Sequence, residues 1–447
     1  MSAVSKITLS VPLNNFFWLP IIITTTRFIP ILADFSFIFL SFYCFFGTKQ
    51  AIQGLFLSWF FTMANSTIAP TIEMQNLLRY LVIFSAFFSI FFRCNFLKFD
   101  TVYFYTISFC FFIFLHSIFF SQIFSISLLK LISWSIVIVT LIKAWSNLDH
   151  NDYEKTLNWI VNFLIIILFL SLPLLFIPNI GYEKTQFGFQ GLLNHPQTFG
   201  PTYALLSAYL IGELITQKKP KYFLFIMIII CFFIILLSGS RTAGLALFLA
   251  FSISMILFLL KNIFSSRSYT PALQSYRLFF SLYFFIFIFF IFWQDALLLI
   301  NSFINKGNNN RIESIFEVYQ ISRGILYEPM IINIKNNFLS GIGFGIASNP
   351  LLANIELDPF FNLPISASNE KGIVPLMVFE ELGFFGFTIF LCWIFLLLRI
   401  STRNFKSFLI FNTIILLNLG EAVLFSVGGL GMLILIFFIT TIVRRKF

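Results

Sequence analysis

Three arginines stand where a guanidinium group could bind an anion. Arg241 lies in the sequence SGSRT at 238–242, between two apolar segments joined by almost no loop. An arginine at that depth is costly unless it is paired or lines a wet cavity, although it could also extend to lipid headgroups. Arg311 and Arg323 lie in a longer, more polar segment, where a solvated surface position is the alternative. Because arginine binds phosphate oxygens through a fork of donors, two or three of these residues on one cavity would suit a diphosphate.

Two further residues could act as a general base. Glu370 precedes an apolar segment, and a carboxylate at a wet helix start could deprotonate a sugar hydroxyl or could simply favour the positive helix N-terminus. His195, in NHPQ at 194–197, could serve as a base, as a polar anchor or in a purely structural role. No histidine, cysteine or carboxylate cluster has metal-ligand spacing, so we predict neither a metal nor another cofactor.

The composition predicts a lipid environment for the elements that carry these residues. Hydrophobic residues make up 59% of the chain and charged residues only 10%, far below the share of about 25% typical of soluble domains. Phenylalanine accounts for 68 of 447 residues, which we assign to lipid-facing positions. Apolar runs of spanning length predict an all-α, polytopic membrane bundle of about 12–14 transmembrane helices. The net charge of +10 fits basic loops on one membrane face better than a nucleic-acid partner.

Basic clusters give the predicted orientation. Lysines at 218–221, basic residues at 261–277 and 399–406, and the terminal residues 444–446 fall at alternate span ends, which places them together in the cytoplasm. The predicted organisation is transmembrane helices in 1–294, a periplasmic loop with short amphipathic helices in 295–371, and C-terminal transmembrane helices in 372–447.

The long outward loop contains a glycine run, GIGFG at 341–345. Such a run cradles phosphate when backbone N–H groups converge after a strand, but here no strand is expected before it. We therefore predict a tight turn by which the chain re-enters the bundle.

Four stretches in order resemble the O-antigen ligase and polymerase superfamily of bacterial inner-membrane proteins. They are GLLNHPQ at 191–197, SGSRT at 238–242, Arg323 followed by GIGFG at 341–345, and EKG at 370–372 leading to EELGFFG at 380–386. The likeness covers about residues 157–400. Such proteins have about a dozen helices and one large periplasmic loop, and they move glycan from undecaprenyl diphosphate to an acceptor hydroxyl without metal or nucleotide.

The resemblance implies a metal-independent membrane glycosyltransferase with Arg241 and Arg323 holding the lipid diphosphate. We add the hypotheses that Arg311 supports them and that a single displacement inverts the anomeric carbon. Its partners would be the undecaprenyl-diphosphate glycan, a glycan or glycolipid acceptor and membrane lipids, with the site facing the periplasm. Ligases of this family carry a His-Asn pair where this chain has Lys371-Gly372-Ile373. Either Glu370 substitutes as the base, or the chain is a polymerase, or it uses another acceptor. A transporter of lipid-linked oligosaccharide is the alternative class.

Overall fold

Apolar helices make up most of the chain in the computed structural model. The structure describes residues 18–72, 74–96, 100–184, 188–217, 222–264, 315–349, 354–357, 364–368 and 371–443. The α-helices in this part are α1 (Trp18–Arg27), α2 (Ala33–Cys44), α3 (Thr48–Met63), α4 (Gln75–Arg93), α5 (Thr101–Phe120), α6 (Phe124–Asn147), α7 (His150–Ser171), α8 (Pro178–Gly181), α9 (Pro196–Thr216), α10 (Tyr222–Leu237), α11 (Arg241–Phe264), α12 (Ile315–Asn336), α13 (Val374–Ser401), α14 (Phe405–Leu417) and α15 (Leu430–Ile442).

Among the described residues, six helices are long and apolar enough to cross a membrane: α4, α5, α6, α7, α11 and α13. A seventh span is formed if the bent pair Leu19–Arg27 and Pro30–Cys44, which meet at 109°, acts as one. The helices α10, α14 and α15 are apolar but shorter. This is the architecture of a multi-pass helical membrane protein, while the count of about 12–14 spans stays a prediction.

Phenylalanine covers much of the outer surface of the bundle. Phe92 and Phe119 are 77% and 73% exposed, and Phe84, Phe104 and Phe111 also face outward. A continuous apolar exterior of this kind is the expected surface of a protein solvated by lipid chains. The position of these side chains fits the lipid-facing role expected from composition.

The most buried helices stand at the centre of the bundle. All thirteen residues of α15 are buried, and this helix packs against α3, α6, α9, α13 and α14. The helix α9 is nearly as enclosed and lies against α10, α11 and α14. A second group, made of α2, α3 and α4, packs against α6. The helices α9 and α15 are therefore surrounded by protein and form the core of the bundle.

The helices alternate in direction and produce two distinct ends. At one end, named the loop end here, Asn194 N donates to Met63 O over 2.8 Å and Val374 N donates to Asn418 O over 3.0 Å. At the far end, an ion pair of 2.7 Å joins Lys406 to Glu213. The predicted cytoplasmic cluster at 399–406 lies at this far end, and the turn 238–240 lies at the loop end. Which end faces the cytoplasm stays a prediction.

The segment after α11 contains one helix and a small hairpin in its described part. The helix α12 ends at Asn336, shortly before the glycine run. The strands β1 (Asn354–Leu357) and β2 (Pro364–Ser368) pair antiparallel, and β2 lies beside α4 and α6. The helical architecture expected from the composition is confirmed, and this short hairpin is an addition to it. The boundaries 295 and 371 of the predicted loop stay predictions.

Candidate functional site

The helix α13 is interrupted at Gly383, which has φ 65° and ψ −171°. The glycine run packs directly on this break, with Ile342 N and Gly343 N each 2.9 Å from the carbonyl oxygens of Glu380 and Glu381. Those carbonyl groups lose their helical partners at the interruption and are satisfied here by the run instead. A Cβ atom at Gly383 would lie 2.2 Å from Leu339 O, so only glycine permits this approach. The predicted tight turn is confirmed, with positive φ at Gly341 and Gly343 among others.

A buried charge cluster lies beside this break. Lys371 Nζ is 2.6 Å from Glu380 Oε2 and 3.0 Å from Glu381 Oε1, and the three side chains are at most 2% exposed. Glu381 Oε2 accepts a hydrogen bond of 2.7 Å from Gly345 N. Isolated charges in such surroundings are very unfavourable, so the pairing is what permits the burial. The two ion pairs of Lys371 fix the segment that precedes α13 to the helix itself.

The cluster extends to α12 and α6 through neutral partners. Asn333 Nδ2 donates to Glu380 Oε1 over 2.7 Å and to Ser348 O over 2.8 Å, while Ser348 Oγ donates to Glu380 Oε2 over 3.0 Å. Lys130 Nζ on α6 donates to Gly345 O over 2.7 Å. The network therefore ties α6, α12 and α13 to the glycine run at the loop end.

A cavity of about 350 Å³ opens next to this network. Its charged lining residues are Arg79 of α4, Lys130 of α6 and Glu381 of α13, and the segment 422–430 forms another wall. The volume is at the lower end of the range for ligand pockets, about 300–1,000 Å³. The lining thus combines two cationic side chains with one carboxylate.

Arg241 begins α11 directly after the turn at 238–240. The turn is pressed against α9, since a Cβ atom at Gly200 would lie 2.4 Å from Ser240 Cβ. Thr242 is similarly close to Gly420. Arg241 is half-buried, and its Nε is shielded from solvent without a hydrogen-bond partner among the described residues. Around Gly239 there is open space, with no atom within 4 Å of the position of a Cβ.

His195 caps the N-terminus of α9. Its Nδ1 accepts a hydrogen bond of 3.1 Å from Gln197 N, which satisfies one of the donors left open at a helix start. This contact supplies the structural role that was one alternative for His195. In the neutral ring this contact leaves the proton on Nε2, so His195 could accept a proton only at Nδ1, after giving up the cap.

The structure describes only part of one of the three remaining predicted site residues. The backbone of Arg323 lies in α12, while its side chain is outside the described atoms. Arg311 and Glu370 lie outside the described residues altogether. The grouping of Arg323, Arg311 and Glu370 with Arg241 stays a prediction.

The four stretches that carry the family resemblance meet at the loop end. Phe189 N, just before the first stretch, donates to Leu237 O beside the second over 3.0 Å. The third and fourth are joined by the bonds between the glycine run and Glu380 and Glu381. The segment after α14 connects the first two stretches to the last two. Gly420 contacts Thr242 of the second stretch, and Asn418 O accepts a hydrogen bond from Val374 N, two residues after EKG.

Comparisons with known proteins add no assignment. No protein-family model, no curated protein and no solved structure matches this chain. The fold and the site by themselves define a multi-pass helical membrane protein with a charged cavity at one end of its bundle.

Sequence reasoning missed the residues that form the described cluster and cavity. Lys371, Glu380 and Glu381 were noted only for their positions, and Arg79 and Lys130 were not noted. One signal was present: an ionisable residue within an apolar span is costly and is retained where it pairs or lines a cavity. That rule, applied to Lys130 and to the Glu380-Glu381 pair, would have found them.

Proposed function

We propose that this chain is a membrane glycosyltransferase that ligates or polymerises glycan delivered on undecaprenyl diphosphate. The observation that carries the proposal is the position of Arg241, a half-buried arginine beside open space at the end of the bundle where the four family-like stretches meet. A fixed guanidinium group at that position suits a diphosphate leaving group, on which negative charge develops during transfer.

The proposed reaction is a single in-line displacement. The acceptor hydroxyl attacks the anomeric carbon, its proton passes to a base, and the bond between that carbon and the phosphate oxygen breaks with its electrons staying on the diphosphate. Inversion at the anomeric carbon follows. Arg241, together with Arg323 and with Arg311 in support, would hold the diphosphate, and Glu370 or His195 would accept the proton.

The lipid-linked donor would enter sideways from the bilayer, and the site would face the periplasm of a bacterial inner membrane. The apolar exterior of α11, with Leu245 and Phe248 more than half exposed next to Arg241, offers a path for a lipid tail along the helix. The products would be a longer or transferred surface glycan and the free carrier diphosphate. No metal or nucleotide is part of this proposal.

The test is the Arg241→Gln substitution in cells and in purified protein, at matched protein level. We expect the rate of glycan transfer to fall by on the order of 100-fold, because the guanidinium group no longer donates hydrogen bonds to the negative charge that develops on the diphosphate. Arg399→Gln is the matched control, since Arg399 is an exposed arginine at the far end of α13. Unchanged transfer in Arg241→Gln and in Arg323→Ala would remove the proposed clamp.

A deletion strain separates the two activities within this class. Loss of long chains with one unit still attached indicates a polymerase, whereas intact long chains left on the lipid carrier indicate a ligase. The size distribution of surface glycan on a gel gives the answer directly.

A transporter of lipid-linked oligosaccharide is the second candidate, and one observation favours it. The helix α13 is broken at Gly383 next to buried charges, and broken helices with charged groups are common at the binding sites of transporters. The deletion strain discriminates here as well, because a transport defect strands the donor on the cytoplasmic leaflet. Donor found outside the cell membrane in that strain excludes the transporter.

A further inference from the structure

Asn418 directly follows α14, at the point where the family-like stretches meet. We infer that Asn418 is a positioning residue for Arg241. Its side chain shapes the turn 418–424, named the α14 turn here, and this turn holds the start of α11 in place. That the positioning serves glycan transfer rests on the proposed function, whereas the positioning itself does not.

The amide group of Asn418 makes hydrogen bonds through both its oxygen and its nitrogen. Oδ1 accepts from Leu424 N over 2.8 Å and from Val423 N over 3.1 Å, and Nδ2 donates to Ile414 O over 2.8 Å. Asn418 is 2% exposed and Leu424 is buried, so a lost bond would leave a buried N–H group unsatisfied. The side chain therefore joins the last turn of α14 to the far side of the α14 turn and fixes its shape.

The α14 turn is anchored on two neighbouring helices. Asn418 O accepts a hydrogen bond of 3.0 Å from Val374 N at the start of α13. Trp134 Nε1 of α6 donates to Leu424 O over 3.1 Å. Both acceptors belong to residues that the amide group of Asn418 joins to each other. The α14 turn therefore has a fixed position relative to α6 and α13.

The α14 turn contacts α11 next to Arg241. A Cβ atom at Gly420 would lie 2.3 Å from Thr242 Cγ2, so the backbone of the turn lies directly against the side chain of Thr242. Arg241 and Thr242 are the first two residues of α11. A shift of the α14 turn would therefore release Thr242 and move Arg241 with it. A misplacement of about 1 Å in a reacting site can lower a rate by about 100-fold.

A second contact between α14 and α11 makes the effect of Asn418 local. Asn412 Nδ2 of α14 donates to Ser254 Oγ of α11 over 2.8 Å. This bond lies about three and a half helical turns beyond Arg241, so it does not depend on the α14 turn. Loss of the Asn418 side chain should therefore loosen the start of α11 without separating the two helices.

The experiment compares glycan transfer by Asn418→Ala and Asn404→Ala at matched protein level. Asn404 is the control, because it is an exposed asparagine that caps the other end of α14 and accepts from Ser407 N over 2.7 Å. We expect the rate of transfer to fall about tenfold or more in Asn418→Ala and to stay unchanged in Asn404→Ala.

Gly420→Ala is a second variant that guards against loss of folding in Asn418→Ala. Its methyl group would push on Thr242 while the hydrogen bonds of Asn418 remain, so the rate of transfer should fall here as well. The melting temperature reports folding for both variants. A wild-type rate of transfer in folded Asn418→Ala or in folded Gly420→Ala overturns the inference.

A double-mutant cycle tests whether Asn418 acts through Arg241. In the Arg241→Gln background, Asn418→Ala should cause no further loss of transfer, because the group that it positions is gone. Equal fold losses in the two backgrounds would show that Asn418 acts independently of Arg241, and they overturn the inference.

Labelling of Arg241→Cys separates the inference from the proposed function. Because Arg241 is half-buried, a charged thiol reagent should react severalfold faster with Arg241→Cys once Asn418→Ala has loosened the start of α11. The unsubstituted chain gives the background rate. An unchanged rate of labelling overturns the positioning role, and a loss of transfer in Arg241→Gln then still supports the diphosphate clamp. Faster labelling together with unchanged transfer in Arg241→Gln removes the clamp and leaves the positioning role standing.

Discussion

Lys371 Nζ lies 2.6 Å from Glu380 Oε2, and neither side chain reaches solvent. This contact joins a residue just before α13 to the same helix, which breaks three residues after Glu380. The second carboxylate, Glu381, pairs with the same ammonium group and also accepts a hydrogen bond from Gly345 N. The glycine run is thus held on the broken helix by charge as well as by backbone bonds.

The substitution Lys371→Met should destabilise the protein strongly. Removal of one partner of a buried ion pair leaves uncompensated charge and costs about 3–5 kcal/mol. The measurement is the free energy of unfolding in detergent micelles. Lys49→Met is the control, because the 2.7 Å pair of Lys49 with Asp152 is about one-third exposed and such pairs contribute about 0–1 kcal/mol. Equal losses in the two variants would contradict a structural role for the buried cluster.

Gly383→Ala should destabilise the bundle far more than Gly239→Ala. Both positions have positive φ, which costs a residue with a Cβ about 1–3 kcal/mol. At Gly383 the new methyl group would also meet Leu339 O, whereas at Gly239 it would meet nothing within 4 Å. Thermal unfolding of the two variants measures the difference. Similar melting temperatures would show that the glycine run can move away from α13 without cost.

Arg241→Lys should lose activity although it keeps the positive charge. A lysine offers a point charge instead of the planar fork that binds two phosphate oxygens together. Loss of one such charged hydrogen bond predicts a fall in transfer of about ten- to a hundredfold. Transfer is measured with purified protein and lipid-linked glycan, and full activity in this variant would mean that no bidentate contact is made.

Cysteine labelling can test which end of the bundle faces outward. Ser66 is exposed at the loop end and Asn151 is exposed at the far end, so Ser66→Cys and Asn151→Cys report the two faces. An impermeant maleimide added to intact cells, with the outer membrane made permeable, should label only Ser66→Cys. The unsubstituted chain, with its five cysteines, gives the background. Labelling of Asn151→Cys alone would invert the predicted orientation.

Composition and apolar run length alone were enough to predict a multi-pass helical membrane protein, because lipid requires long apolar helices whose backbone groups bond internally. The turn at 238–240 and the tight glycine turn also followed from local residue types. The hairpin of β1 and β2 did not, because strand pairing depends on contacts between segments that are not adjacent in sequence.

Tertiary structure decided which charges meet. Lys130 and Lys371 are far apart in sequence, yet both lie at Gly345. Lys130 donates to Gly345 O, and Lys371 pairs with Glu381, the carboxylate that accepts from Gly345 N. Residue types could suggest that arginines bind an anion, but the electrostatic energy of a charge depends on its distances to other charges and to water. Those distances are set by helix packing, and so only the fold placed Arg79 and Lys130 on one cavity.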